Sequence, residues 1–174
     1  MRKFIYILTI LLVLVAVSIA FIEYKSNYTI SSFINKNAPV ITYQQITINA
    51  PAQQVYKVMS DIDHWAAWHS DIEDPKIMGA FEKGSSFDWK SGGLTIHSTL
   101  HTVIPAQKIG WSGRAFGAFA IHNWSFIESE GKTTVIVEES MEGWLVDLMR
   151  RKFQTGLEQS LQIWLKNLKA RAEA

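Results

Sequence analysis

The sequence predicts an α+β domain carried behind one membrane-spanning helix, with an antiparallel meander packed on a long C-terminal helix. Three observations predict it. Residues 4–22 form an unbroken apolar run. From Lys76 to Glu142 apolar side chains recur with period two between turn residues. From Trp144 to Lys169 they recur with the period of an α-helix. The expected organisation is a transmembrane segment over 1–22, a linker over 23–40 and one domain over 41–174.

The run from Phe4 to Ile22 is relieved only by Thr9 and Ser18, and Arg2-Lys3 stands before it. As a helix it rises about 28 Å, close to the hydrocarbon thickness of a bilayer. Apolar residues on every side leave no polar face to lie in the interface. Two readings exist. Ser18-Ile19-Ala20 satisfies the small-x-small rule for signal cleavage after Ala20, but the run is longer than a usual signal core and continues past that point. A retained single-pass anchor is favoured. The basic pair then keeps the N-terminus cytoplasmic and places the domain outside the cytoplasm, periplasmic or extracellular in a bacterium.

About 150 residues remain beyond the run, enough for one domain with a sizeable core. With Arg2 and Lys3 set aside, they carry fifteen basic and sixteen acidic side chains. That balance excludes a nucleic-acid partner. The chain contains no cysteine, which excludes thiol catalysis and zinc–thiolate sites. All seven tryptophans lie beyond the apolar run.

Residues 23–39 are polar and aperiodic, and read as a stalk lifting the domain off the membrane. Asn27-Tyr28-Thr29 fits a glycosylation sequon. Ile41 to Ile48 alternates as a strand. Asn49-Ala50-Pro51 then signals a helix start, capped by Asn49 or Ala50. Val55, Val58, Met59 and Ile62 form its buried stripe, and Asp63 is positioned to cap a second short helix with Trp65 and Trp68. In the meander, Phe87, Trp89 and Ser91 share one face. Gly92-Gly93 turns the chain, and Leu94, Ile96, Ser98 and Leu100 return on one face, with His97 and His101 on the other, expected in solvent. Pro105-Ala106 and Glu130-Gly131 mark further turns. Ile109 and Trp111 share a face, as do Ala120, His122, Trp124 and Phe126, and then Val135 and Val137. The final helix is expected unbroken from Trp144 to Lys169, with Leu145, Phe153, Leu157, Leu161, Trp164 and Leu168 inward.

Three stretches carry a family pattern: ITINAPAQQVYKVMSDIDHWAAWHSDI (46–72), IGWSGRAFGAFAIHNWSF (109–126) and VEESMEGW (137–144). Across residues 41–170 the chain resembles the SRPBCC superfamily, also called START-like or Bet v 1-like, and within it the polyketide cyclase/dehydrase branch. The resemblance implies a helix-grip fold, a seven-stranded antiparallel sheet wrapped around the C-terminal helix with an apolar cavity between them. Members include carriers of apolar molecules, cyclases, dehydratases and assembly factors, so the fold leaves activity open.

The site is expected in that space. Trp89, Trp111, Trp124 and Phe126 are in phase with inward faces, as pocket lining or as aromatic core. His122 shares their phase and is the candidate catalytic residue, able to hydrogen-bond a ligand or act as acid or base. Arg114, just past a strand, is a candidate to hold an anionic group at the mouth. Gly156 costs about 1 kcal/mol against Ala within a helix. With Ser160 one turn on, it reads either as cavity floor or as close helix–sheet packing. Asp61, Asp63, His64, His69 and Asp71 crowd one region, but their spacing matches no ligand motif, and no metal is assigned. Glu139 is in phase with Val135 and Val137, and Glu142 is placed to cap the last helix. There is no serine-hydrolase elbow, phosphate loop or dinucleotide fingerprint, and no cofactor is expected. The leading expectation is a membrane-anchored binding module for a small hydrophobic ligand, lipid-like or polyketide-like. The alternatives are a cyclase/dehydratase-type enzyme built on His122 and Arg114, and a surface-acting scaffold or assembly factor.

Overall fold

The computed structural model of the protein describes residues 2–174. Helix α1 (Arg2–Lys25) contains the apolar run, and none of its side chains is buried. It is long and apolar enough to cross a membrane. Beyond it come strand β1 (Val40–Ile48), helix α2 (Ala52–Ser60) and a 3₁₀ helix over Ile62–Ala67. Strands β2 (Glu73–Met78), β3 (Ser86–Ser91), β4 (Leu94–Ile104), β5 (Lys108–Ala115), β6 (Ala118–Ser129) and β7 (Lys132–Glu142) follow. Helices α3 (Trp144–Leu148) and α4 (Arg150–Ala172) close the chain.

The strands form one seven-stranded sheet in the order β1-β7-β6-β5-β4-β3-β2, every neighbouring pair antiparallel. Helix α4 lies on its inner face, which is the helix-grip arrangement. Period-two alternation assigns the faces: Phe87, Trp89, Leu100, Ile109, Trp111, Trp124, Phe126, Val135 and Val137 are all buried inward. Trp65 of the 3₁₀ helix is the hub of this core. Its ring packs on those of Phe87, Trp111 and Trp164 at 5.6, 5.6 and 5.0 Å, and its Nε1–H donates to the Met59 carbonyl at 2.9 Å. Removing a fully buried Trp of this kind costs about 3–5 kcal/mol.

A meander has two ends. One holds the Asn49–Pro51 corner and the 105–106 and 130–131 turns. There the C-terminus of α4 is pinned, with Asn49 N–H donating to Glu173 at 2.6 Å and Gln54 Nε2 to the Ala172 carbonyl at 2.6 Å. The other end holds the 92–93 and 116–117 turns, Gly143 and α3.

Several local expectations are corrected. The N-terminus of α2 is capped by neither Asn49 nor Ala50. Glu128 at the end of β6 accepts from Ala52 N–H at 2.8 Å, placing a carboxylate where the helix dipole favours one. Asp63 caps no helix either: it accepts from Lys76 Nζ and from Ile77 N–H, tying the 3₁₀ helix to β2. The C-terminal helix breaks at Met149 (φ −121°, ψ 32°), which separates α3 from α4. No Gly or Pro in the sequence announces that break.

The linker does not stand free as a stalk. It lies as a strap on the outer face of the sheet. Tyr28 stacks on Phe119 (5.0 Å between centroids), Asn123 Nδ2 donates to the Ser32 carbonyl at 3.2 Å, and Asn35 N–H donates to Ser140 Oγ at 3.0 Å. Glu142, expected as a helix cap, accepts from Asn35 Nδ2 at 2.8 Å. The strap lies on a face that carries buried apolar side chains, Phe119 and Ile121 among them.

Candidate functional site

A cavity of about 490 Å³ lies between α3–α4 and the inner face of the sheet. It occupies only the half of the domain next to the 92–93 and 116–117 turns, and side-chain size explains why. At the opposite end the inward positions carry Phe87, Leu100, Ile109 and Phe126, and the space is filled. Toward the cavity end the inward residues are Gly113 and Ala115 on β5 and Ala118 and Ala120 on β6. On the helix side Gly156 faces them, and a Cβ built there meets nothing within 4 Å. Close helix–sheet packing is therefore not the reason for this glycine. Leu94, Ile96, Met141, Leu145, Met149 and Phe153 add to the apolar lining, with Leu157, Leu161 and Trp164 deeper on α4.

One wall is polar. His122 (β6) and Glu139 (β7) are cross-strand partners, both inward and both buried. His122 Nδ1 lies 2.7 Å from Glu139 Oε2, close enough for charge pairing but off the line of a straight hydrogen bond. The imidazole stacks on Trp111 at 4.9 Å, and Trp111 stacks on Trp124 at 6.2 Å, forming a ladder of three rings along the cavity. The indole N–H groups of Trp111 and Trp124 are buried without acceptors. A buried donor with no partner costs about 1–3 kcal/mol, and with no accessible surface these two N–H groups do not open on the cavity. Trp89 differs, donating to Ser98 Oγ at 3.0 Å. Ser160 and Lys152 add polar groups from α4.

Of the residues singled out in the sequence, Trp89, Trp111, His122, Trp124, Gly156 and Ser160 line this cavity, and Arg114 and Phe126 do not. Arg114 points outward because Gly113 takes the inward position of β5. Its Nη2 donates to the Ser26 carbonyl at 2.9 Å and its guanidinium lies 5.0 Å from the Tyr28 ring, so it holds the strap and no anion at the mouth. Phe126 lies in the filled half, edge-on to Tyr56 at 5.7 Å.

The histidines elsewhere have separate partners. His64 pairs with Asp61 at 2.7 Å, which raises its pKa, and His97 sits 2.8 Å from Asp88. His69 is buried against Trp164 at 4.4 Å, and that burial lowers its pKa. Among the described residues no three His, Asp or Glu converge as a metal site. His101 is buried, against expectation. It occupies a bulge between Leu100 and Thr102, and its ring lies over Gly110, where a Cβ would come within 2.4 Å of Cε1.

Sequence reasoning missed most of the lining. The signal was present: Gly113 and Ala115, then Ala118 and Ala120, are small residues at alternate positions on either side of one turn. Glu139 was placed inward by its phase, but its pairing with His122 needs the β6–β7 register, which the sequence does not state.

Known structures share this fold. A hypothetical protein from Helicobacter pylori superposes with a TM-score of 0.71 at 13% identity, over 84% of this chain and 99% of its own. The Zhui aromatase/cyclase from Streptomyces sp. R1128 gives 0.67 at 17% identity, over 76% of this chain and 93% of its own. A START superfamily protein from Mycobacterium smegmatis gives 0.65 at 14%, over 76% and 97%. At such identities the likeness is one of fold. No curated protein matches the sequence significantly. Residues 39–173, the whole of the sheet with α2 to α4, match the family described as polyketide cyclase / dehydrase and lipid transport, and the chain belongs to that family.

Proposed function

We propose that this protein is a single-pass, membrane-anchored module that binds a small, largely apolar molecule carrying one or two polar groups. The observation that carries the reading is the cavity itself. Its volume is in the range of small-molecule sites, its lining is mainly apolar, and its polar groups gather on one wall. Burial of apolar surface supplies the affinity, and His122 and Ser160 set orientation. Helix α1 has no apolar partner in the fold, and its most economical environment is a bilayer. The basic pair Arg2-Lys3 then puts the cavity outside the cytoplasm.

A second reading is favoured by one observation. Glu139, 2.7 Å from His122, supplies the second polar group that a cyclase or dehydratase needs beside an acid–base histidine. Arg114 has no part in it.

His122→Ala and Glu139→Gln separate the two. A binding module keeps saturable ligand binding in both variants, with Kd changed by no more than about tenfold, the worth of one hydrogen bond. An enzyme shows turnover that falls about 10²–10⁴-fold in His122→Ala while the fold is retained. Absence of saturable binding by the wild-type chain would overturn the leading reading.

A further inference from the structure

The cavity opens at the end of the domain to which α1 is attached. Glu23, in the last turn of α1, accepts from Trp144 Nε1 at 2.8 Å and from Gly117 N–H at 3.5 Å. Trp144 begins α3 and Gly117 belongs to the β5–β6 turn, each next in the chain to a lining residue, Leu145 and Ala118. The apolar run ends one residue earlier, at Ile22, whose Cα lies about 3.8 Å from that of Glu23. The strap leaves α1 along the outer face of the sheet, with Ser26 and Tyr28 already bound to Arg114. No free tether therefore separates the end of the apolar run from the rim.

The rim has the chemistry of an interfacial surface. Leu94, Phe116, Leu148 and Met149 are exposed there, Leu148 by 75%, and Phe116 stands edge-on to Trp144 at 5.4 Å. Arg150, Arg151 and Lys152 follow Met149 and are exposed beside them. Exposed apolar tips beside a basic cluster suit a bilayer surface, the tips entering the headgroup boundary and the cations meeting anionic lipid. Met149 and Lys152 also line the cavity, so the rim and the site share residues.

We infer that this rim rests on the bilayer that α1 spans, and that the cavity exchanges its ligand directly with the adjoining lipid leaflet. The inference rests on the anchor reading above. The occupant of the rim is the membrane surface, with anionic phospholipid opposite Arg150 and Arg151. A ligand of this site is then a membrane-resident molecule that reaches the cavity without passing through water.

The chain has no cysteine, so single-cysteine variants of the full protein report one position each. Leu148→Cys marks the rim and Lys132→Cys the opposite end, both at exposed positions. Each is labelled with an environment-sensitive fluorophore and reconstituted in phosphatidylcholine vesicles, with and without phosphatidylglycerol. Quenching by a spin-labelled lipid then reads contact with the bilayer. The expected result is quenching several-fold stronger at position 148 than at position 132, increased further by phosphatidylglycerol. Equal quenching at both positions, in protein that resists carbonate extraction, overturns the inference and leaves the anchor standing. Protein that carbonate strips from the vesicles removes the anchor reading and this inference together.

Discussion

His101 shows how one buried side chain sets a property of the whole chain. Burial over Gly110 holds its pKa down to about 4, well below the ordinary histidine value. The native state therefore refuses a proton that the unfolded chain accepts. Above pH 6.5 the imidazole is neutral in both states and has no effect. As the pH falls from 6.5 to 4 the unfolded state is progressively favoured, by up to about 3 kcal/mol. His69, also held low by burial, acts in the same direction. The expected outcome is a denaturation midpoint that falls through this window, above the usual carboxylate range. His101→Gln should flatten that part of the curve, and an unchanged slope would remove His101 as its cause. The sequence placed this residue in solvent because simple alternation does so. A one-residue bulge and a neighbouring glycine bury it, and neither is visible in a hydrophobic pattern. His122 was legible for the opposite reason: no bulge interrupts the β5–β6 or β6–β7 register, so the phase of Trp124 and Phe126 carries through.

Among the elements, strands were the most legible, because each alternates between a filled interior and a polar or covered exterior. Connections were less so. The segment after α1 looks like a stalk because it is polar and aperiodic, yet its long-range hydrogen bonds and its one stacked ring go to side chains on β5, β6 and β7. Those partners lie about ninety to a hundred positions away. Composition carries no information on such pairings. The break at Met149 is hidden likewise, since Leu145 and Met149 keep helical spacing on both sides of it. The strap itself is open to test. Arg114→Ala removes both the bond to the Ser26 carbonyl and the stacking on Tyr28, and should cost about 1–2 kcal/mol. Hydrogen exchange should quicken in residues 26–35. Unchanged protection would mean that Asn35 and Asn123 hold the strap without Arg114.

At the scale of the molecule, one gradient organises the fold. Aromatic and branched side chains fill the half of the grip pinned by Glu173 and Gln54. Glycine and alanine hollow the half that receives α1. The resemblance read from three stretches of sequence anticipated both the sheet and a cavity, and the family match and the solved structures agree on the fold. It did not anticipate that the hollow end is the end that receives α1, because Glu23 and Trp144 are 121 positions apart. The most direct measurement is native mass spectrometry of the full chain released from nanodiscs, beside its Gly156→Leu variant. Leucine at this position projects into the cavity beside its mouth and relieves the helix of a glycine, so the variant should be folded and up to about 1 kcal/mol more stable. The account predicts a reproducible adduct of lipid-like mass on the wild-type chain, lost on denaturation and clearly reduced on Gly156→Leu. A bare wild-type mass, or an adduct that both chains retain equally, would contradict a ligand held in this cavity.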